Sequence, residues 1–513
     1  MEYTSTRDNG MKVSSARAIA QGISKEGGLF VPESLPRLTA ADIDSLVPQS
    51  YIQRATAILS GFLTDFTAEE LEQCVTAAYG SGNFPGDAVA PLAKLNDNTY
   101  MLELWHGPTC AFKDMALQLL PHLLTVSAKK EAGDKEIVIL VATSGDTGKA
   151  ALAGFQDVPG TRILVFYPQD GVSKVQKLQM ATQEGANVAV QGVYGNFDDA
   201  QTGVKQLFTD PTLAARLDEK GLMFSSANSI NWGRLVPQIV YYVSAYCDMI
   251  ASGEIANGEA INVCVPTGNF GNILAAYYAA EMGVPINRLI CASNVNKVLT
   301  DFIHTGTYDR RRELILTTSP SMDILISSNL ERLLYALSGR DDKSVGEMMA
   351  RLSGDGIYTV DDKVKQILQT RFWGGFCDEK SVMDTIKDVH ETYSYLCDTH
   401  TAVAIGVHRQ YMEQTEDATK TLIASTANPY KFAPSIWTAI SGQLSDADEF
   451  DQIDMLHAAT GMEIPPQILE LKQKPVRFTE SCAKEDMGKA VEGMLNLWLP
   501  AQKPLPVQGK RPE

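Results

Sequence analysis

The chain has 513 residues, 44% of them hydrophobic and 21% charged, an ordinary globular composition too long for one compact core and suited to two to four domains. A formal charge of -18 repels phosphate backbones and anionic lipid, which disfavours nucleic acid or membrane as the main partner. Any anionic ligand must then be held in a local pocket.

The first residues show no signal-peptide core, and no segment reaches the ~18 to 20 apolar residues of a membrane span, so a cytoplasmic protein is expected. Residues 1–95 read as a separate N-terminal module of mixed helix and loop, with a helical pattern over Ala40 to Leu46. From about 97 to 300, short apolar runs (Ile137 to Val141, Ile163 to Phe166, Val188 to Val190, Val263 to Val265, Leu289 to Cys291) alternate with helical patterns. That alternation implies an α/β fold with a mostly parallel, doubly wound sheet. A helical insertion is expected over about 308–395, with amphipathic stretches from Asn329 to Leu337 and Val360 to Leu368. The sheet then resumes at Thr421 to Ser425 and completes a core spanning 96–440, with a C-terminal helical segment and tail over 441–513. The eight cysteines lack C-x-x-C pairs, which fits reduced thiols and no metal site.

Lys113 lies in His106-Gly-Pro-Thr-Cys-Ala-Phe-Lys-Asp114, at the entrance of a helix whose N-terminus already carries partial positive charge. Most lysines are solvated, but this one sits between Ala111-Phe112 and the apolar face Met115, Leu119, Leu120, Leu123, Leu124. Pro121 should kink or end that helix. Two strand-loop-helix units follow. In Ser144-Gly-Asp-Thr-Gly148 hydroxyls and N–H groups at a strand's carboxyl end suit a substrate carboxylate, although a capping turn is the plainer reading. A nucleotide P-loop is disfavoured, because Thr143 and Ala150 stand where that motif needs Gly and Ser or Thr. In Gly268-Asn-Phe-Gly-Asn272 the glycines let N–H groups turn toward an anion at a helix N-terminus. An aldehyde for Lys113 and a phosphate for the second loop are united in pyridoxal phosphate. Arg234, in Asn228-Ser-Ile-Asn-Trp-Gly-Arg234, is a candidate anion clamp, against the commoner surface salt bridge. Thr426 follows the last strand candidate, and His400 reads as a structural histidine.

In this order the strings resemble the threonine synthase family, pyridoxal-phosphate enzymes of the tryptophan-synthase-β fold type (fold type II). The likeness also covers Tyr3-Thr-Ser-Thr-Arg7, Gly28-Leu-Phe-Val-Pro32, Ser319-Pro-Ser-Met-Asp323 and Ser425-Thr-Ala427, and the insertion matches the longer form of yeast and many proteobacteria. The resemblance implies that Lys113 binds the cofactor aldehyde and moves the substrate protons, and that Gly268, Asn269, Phe270, Gly271 and Asn272 hold its phosphate. It further implies that Thr426 faces the pyridine nitrogen, while Ser144, Asp146 and Thr147 meet the amino-acid carboxylate. Arg234 is expected on the phosphate of O-phosphohomoserine, which the reaction converts to threonine, by a monomer or homodimer. A related lyase or deaminase, or a silent regulatory relative, stays open. Asn428 in place of His and Lys149 in place of a small residue depart from the family strings.

Overall fold

The computed structural model describes residues 1–498 apart from 81, 86, 87, 132, 134, 144, 170 and 171. Two parallel sheets dominate. One has six strands in the order Phe372–Phe376, Ile286–Ser293, Ile261–Pro266, Thr421–Ser425, Thr99–Glu103, Leu92–Asn96. All pairs are parallel except the last, a hairpin. The other has five parallel strands in the order Ser481–Ala483, Val188–Tyr194, Thr161–Pro168, Glu136–Ala142, Leu222–Ser225. The central strands Ile261–Pro266 and Thr421–Ser425 are buried along their whole length, as expected for parallel strands covered on both faces by helices.

The apolar runs seen in the sequence lie within these strands, which extend past them by one to four residues at an end. The stretch expected to be a helical insertion differs in one respect. It contains the edge strand Phe372–Phe376 and the strand Ile357–Thr359, paired antiparallel with Thr307–Asp309. The Trp373-Gly-Gly375 run hid the edge strand, because glycine carries no strand signal. Gly374 and Gly375 are needed there by close packing: a Cβ on Gly374 would lie 3.2 Å from Thr300 Cα, and one on Gly375 2.8 Å from Val407. The hairpin Leu92–Asn96 and Thr99–Glu103 is likewise absent from the sequence expectations, and it carries the chain directly into the Lys113 loop.

The N-terminal residues form a three-stranded antiparallel sheet, Asp8–Val13, Tyr3–Ser5, Phe30–Pro32, followed by helices that include Ala40–Leu46 with a Thr39 capping box. The helix after Lys113 is interrupted: Asp114–Leu117 ends, and Leu120–Glu131 begins with Pro121 at its second position, where proline's missing N–H costs nothing. The 20-residue helix Trp232–Ala251 is buried over nearly all its length. Among the described residues no helix is long and apolar enough to cross a membrane.

Candidate active site

The site forms where the carboxyl ends of strands from both sheets face one another. The Lys113 segment follows Thr99–Glu103, the Gly268 loop follows Ile261–Pro266, and Thr426 follows Thr421–Ser425 in the six-stranded sheet. The Gly145–Gly148 loop follows Glu136–Ala142 in the five-stranded one. A crevice at strand carboxyl ends is where open α/β sheets bind ligands.

Lys113 is the N-cap of Asp114–Leu117 and makes no capping bond, since its side chain has no acceptor to offer. Its position is fixed from both sides. Phe112 N donates to Thr426 O at 2.8 Å and Asn428 N to Cys110 O at 3.0 Å, around a bridge between Ala111 and Ala427. Behind the lysine, both Asp114 oxygens accept from Thr109, at 2.8 Å from N and 2.7 Å from Oγ1. Burial pushes the Asp114 carboxyl up to about 6 against those hydrogen bonds.

The Lys113 amine is buried, donates to Ser321 Oγ at 3.2 Å and stands 3.6 Å from Asp146 Oδ2. Burial lowers its affinity for a proton, Asp146 opposes that, and the charges of Lys431 and Arg234 reinforce it. An amine poised toward its neutral form is a competent nucleophile and base. Asp146 also meets Lys431, whose fully buried Nζ is 2.9 Å from Oδ1 and donates to Thr109 O at 2.7 Å. Burial opposes ionisation of Asp146, yet Lys431 and Lys113 hold its carboxyl well below the usual range. The Asp146 side chain is thus engaged by the two lysines, and a carboxylate so placed repels a second one. The helix N-terminus beside it offers N–H donors instead. Among the described residues the N–H groups of Asp146 and Thr147 have no acceptor, whereas Gly145 and Gly148 N donate to Thr143 Oγ1 at 3.0 and 2.9 Å. Ser144 lies outside the described residues.

In the second loop Phe270 adopts a left-handed conformation (φ 64°) and caps Gly271–Met282. None of the N–H groups of Gly268, Asn269, Phe270, Gly271 and Asn272 has an acceptor among the described residues, which leaves a run of donors for an anion. A Cβ on Gly268 would sit 2.4 Å from Ser321 O, so this loop and the Lys113 partner Ser321 are in direct contact. The Asn272 side chain turns away: its Oδ1 accepts from Tyr241 at 2.9 Å and from Tyr242, while Nδ2 has no partner among the described residues. Thr426 is buried, and its hydroxyl makes no hydrogen bond among the described residues.

Arg234 is 4% exposed and forms no ion pair among the described residues, which removes the surface salt-bridge reading. One nitrogen donates to Ala227 O at 2.5 Å, and Nε has no acceptor among the described residues. Burial pulls its guanidinium down to about 10. A buried guanidinium without a carboxylate is costly unless an anion joins it, and its charge is felt at Lys113.

Three residues without an assigned role stand in this site. Ser321 touches Lys113, and Lys431 touches Asp146. His400 Nε2 accepts from Ser321 N at 3.1 Å, and Nδ1 is 2.9 Å from Asp398 Oδ1. An acceptor role for Nε2 puts the ring proton on Nδ1, toward Asp398. His400 is thus structural as expected, but it supports the segment that touches the amine. Lys431 had a signal in its apolar setting, Pro429-Tyr-Lys-Phe432, five residues beyond Thr426.

A buried amine, an N–H cradle beside it and an unbonded buried hydroxyl fit the aldehyde, phosphate and ring nitrogen of pyridoxal phosphate. Comparison with known proteins agrees. Residues 2–79 match the family model for the threonine synthase N terminus, 87–360 that for pyridoxal-phosphate dependent enzymes, and 401–491 that for the threonine synthase C-terminal region. The chain is 41% identical to threonine synthase-like 1 of Homo sapiens over 86% of its own length, and spans 61% of that protein. Threonine synthase of Pseudomonas aeruginosa is 38% identical over 86% of the chain and 91% of the relative. The PLP-bound threonine synthase structure from Brucella melitensis superimposes with a TM-score of 0.86 at 34% identity, covering 96% of this chain and 99% of that one.

Proposed function

The chain belongs to the threonine synthase family of pyridoxal-phosphate enzymes, and from that premise we propose that it converts O-phospho-L-homoserine and water to L-threonine and phosphate. The observation that carries the reading is the pairing of two anion sites on one buried amine: the N–H cradle at Gly268 to Asn272 and the unpaired guanidinium of Arg234, with Lys113 in contact with the first through Ser321 and within the field of the second. One site takes the phosphate of the cofactor and the other that of the substrate.

Bound at Lys113, pyridoxal phosphate supplies an electron sink for a carbanion beside the substrate amino group. Lys113 Nζ, kept toward its neutral form by burial, takes the proton from the substrate Cα and then one from Cβ. Arg234 binds the phosphate that departs from Cγ, a charge-assisted contact that strengthens as the leaving group gains charge. The N–H groups of Asp146 and Thr147, with Ser144, hold the substrate carboxylate, and the Asp146 side chain keeps Lys431 and Lys113 charge-balanced. Thr426 offers the ring nitrogen a neutral hydroxyl, which favours elimination and replacement over amino-group transfer. The same proposal places the enzyme in the cytoplasm.

Supplying the protein with pyridoxal phosphate and O-phosphohomoserine tests this reading. Phosphate and threonine should appear in equal amounts. Ammonia and a 2-keto acid without threonine would assign the chain to a deaminating lyase.

A further inference from the structure

The strings Tyr3-Thr-Ser-Thr-Arg7 and Gly28-Leu-Phe-Val-Pro32 have no part in the chemistry above, yet they end on the helix Leu330–Leu337, whose N-cap is Asn329. Arg7 makes a two-pronged contact with Glu331, Nε to Oε1 at 2.8 Å and the terminal nitrogen to Oε2 at 2.7 Å, and Thr6 Oγ1 donates to the same carboxylate at 2.5 Å. The next residue, Arg332, is fully buried. Its Nε donates to Phe30 O at 3.0 Å, one terminal nitrogen to Asn329 Oδ1 at 2.5 Å and the other to Ile230 O at 2.6 Å. Asn329 in turn donates from N to Asn269 O at 3.0 Å and from Nδ2 to Ser229 O at 3.2 Å.

Every acceptor of Arg332 is neutral, and it forms no ion pair among the described residues. Burial draws its guanidinium down to about 10, the cost a buried charge carries when no carboxylate joins it. Two such guanidiniums meet one segment: Arg234 holds it at Ala227 O and Arg332 at Ile230 O. Through Asn329 the same side chain reaches the Gly268 to Asn272 loop.

We propose that Arg332 is a positioning residue that sets the spacing between the two phosphate sites, and that the N-terminal strand Tyr3–Ser5 with Thr6 and Arg7 anchors it through Glu331. This rests on the assignment of those two sites to cofactor and substrate. A planar fork is required, because two carbonyls from distant segments, Phe30 O and Ile230 O, and the Asn329 amide oxygen at the helix's own N-cap must be held at once, and a lysine offers no such fork.

The test uses the full-length Arg332→Lys variant, which keeps the positive charge and loses the fork. Affinity for pyridoxal phosphate is read from cofactor absorbance, and affinity for inorganic phosphate by calorimetry on the cofactor-loaded protein. Both should weaken, by ~10-fold for a lost multi-point hydrogen-bonded geometry, and KM for O-phosphohomoserine should rise more than kcat falls. Unchanged binding of both probes in a folded variant overturns the proposal, since it would reduce Arg332 to a long-range charge or a fold element. If Arg332→Lys does not fold, Glu331→Gln, which retains shape and loses the ionic anchor, is measured in the same way. A lower melting temperature with both affinities intact also overturns it. Neither binding readout depends on turnover, so failure of the threonine synthase reading would show separately, as absence of threonine from the unmodified enzyme.

Discussion

Lys431 Nζ lies 2.9 Å from Asp146 Oδ1, both groups buried, while the other carboxylate oxygen faces the Lys113 amine. Removing one partner of such a pair leaves an uncompensated buried charge. Lys431→Met should therefore cost about 3 kcal/mol of stability at neutral pH, measured by denaturant unfolding. The pH dependence has a definite sign. Asp146 is held below its unfolded value, so its contribution is complete above the ordinary carboxylate range and is lost as pH falls below about 4. That acid loss should be smaller in Lys431→Met.

Thr426→Ala should preserve the fold and weaken the ring contact by about 1 kcal/mol, the net worth of one neutral hydrogen bond. Thr426→Asp should favour a protonated ring and raise side products relative to threonine. An unchanged product ratio in the Asp variant would place Thr426 away from the ring nitrogen.

Arg234→Ala should keep normal cofactor absorbance and affinity. It should lose roughly 1.5 to 3 kcal/mol in kcat/KM toward O-phosphohomoserine, and much less toward a substrate without the phosphate. A variant that drops its cofactor and binds substrate normally would assign Arg234 to the other phosphate.

Lys149 tests the sequence departure. Burial, with Lys474 and Lys431 adding like charge, pulls its amine down to about 8, and its Nζ donates to Gln183 Oε1 at 2.5 Å. Below that value the amine is charged in both folded and unfolded chains, and the full penalty applies. Between about 8 and 10.5 the unfolded chain holds the proton more tightly, so stability should rise with pH, by on the order of 3 kcal/mol. Urea unfolding across that range should show the rise in the native protein and its absence in Lys149→Met.

The sequence exposed the parts whose signal is local. Apolar runs mark six strands, and the Gly-rich loops behind two of them mark both anion loops, because a buried parallel strand followed by a helix N-terminus writes both features into adjacent residues. Lys113 was visible for the same reason. What stayed hidden depends on long-range pairing. The Asp146 carboxylate could not be assigned to Lys431 before the Thr426 loop was known to pack on the Lys113 loop. Arg332 looks like one charge on an amphipathic helix until Phe30 O and Ile230 O, both distant in sequence, converge on it beside the Asn329 cap. The edge strand Phe372–Phe376 lies where its glycines and helical neighbours outweigh any strand pattern.

Three buried or half-buried amines, Lys113, Lys149 and Lys431, stand close together around Asp146 and Asp114. Of the three, Lys113 alone is assigned as the cofactor's attachment point. Borohydride reduction of the cofactor-loaded protein, followed by peptide mapping, should find the pyridoxyl group on Lys113. Lys113→Ala should bind pyridoxal phosphate weakly through the Gly268 loop, carry no reducible link and turn over orders of magnitude more slowly. A pyridoxyl group on Lys149 or Lys431, or full activity in Lys113→Ala, would contradict it.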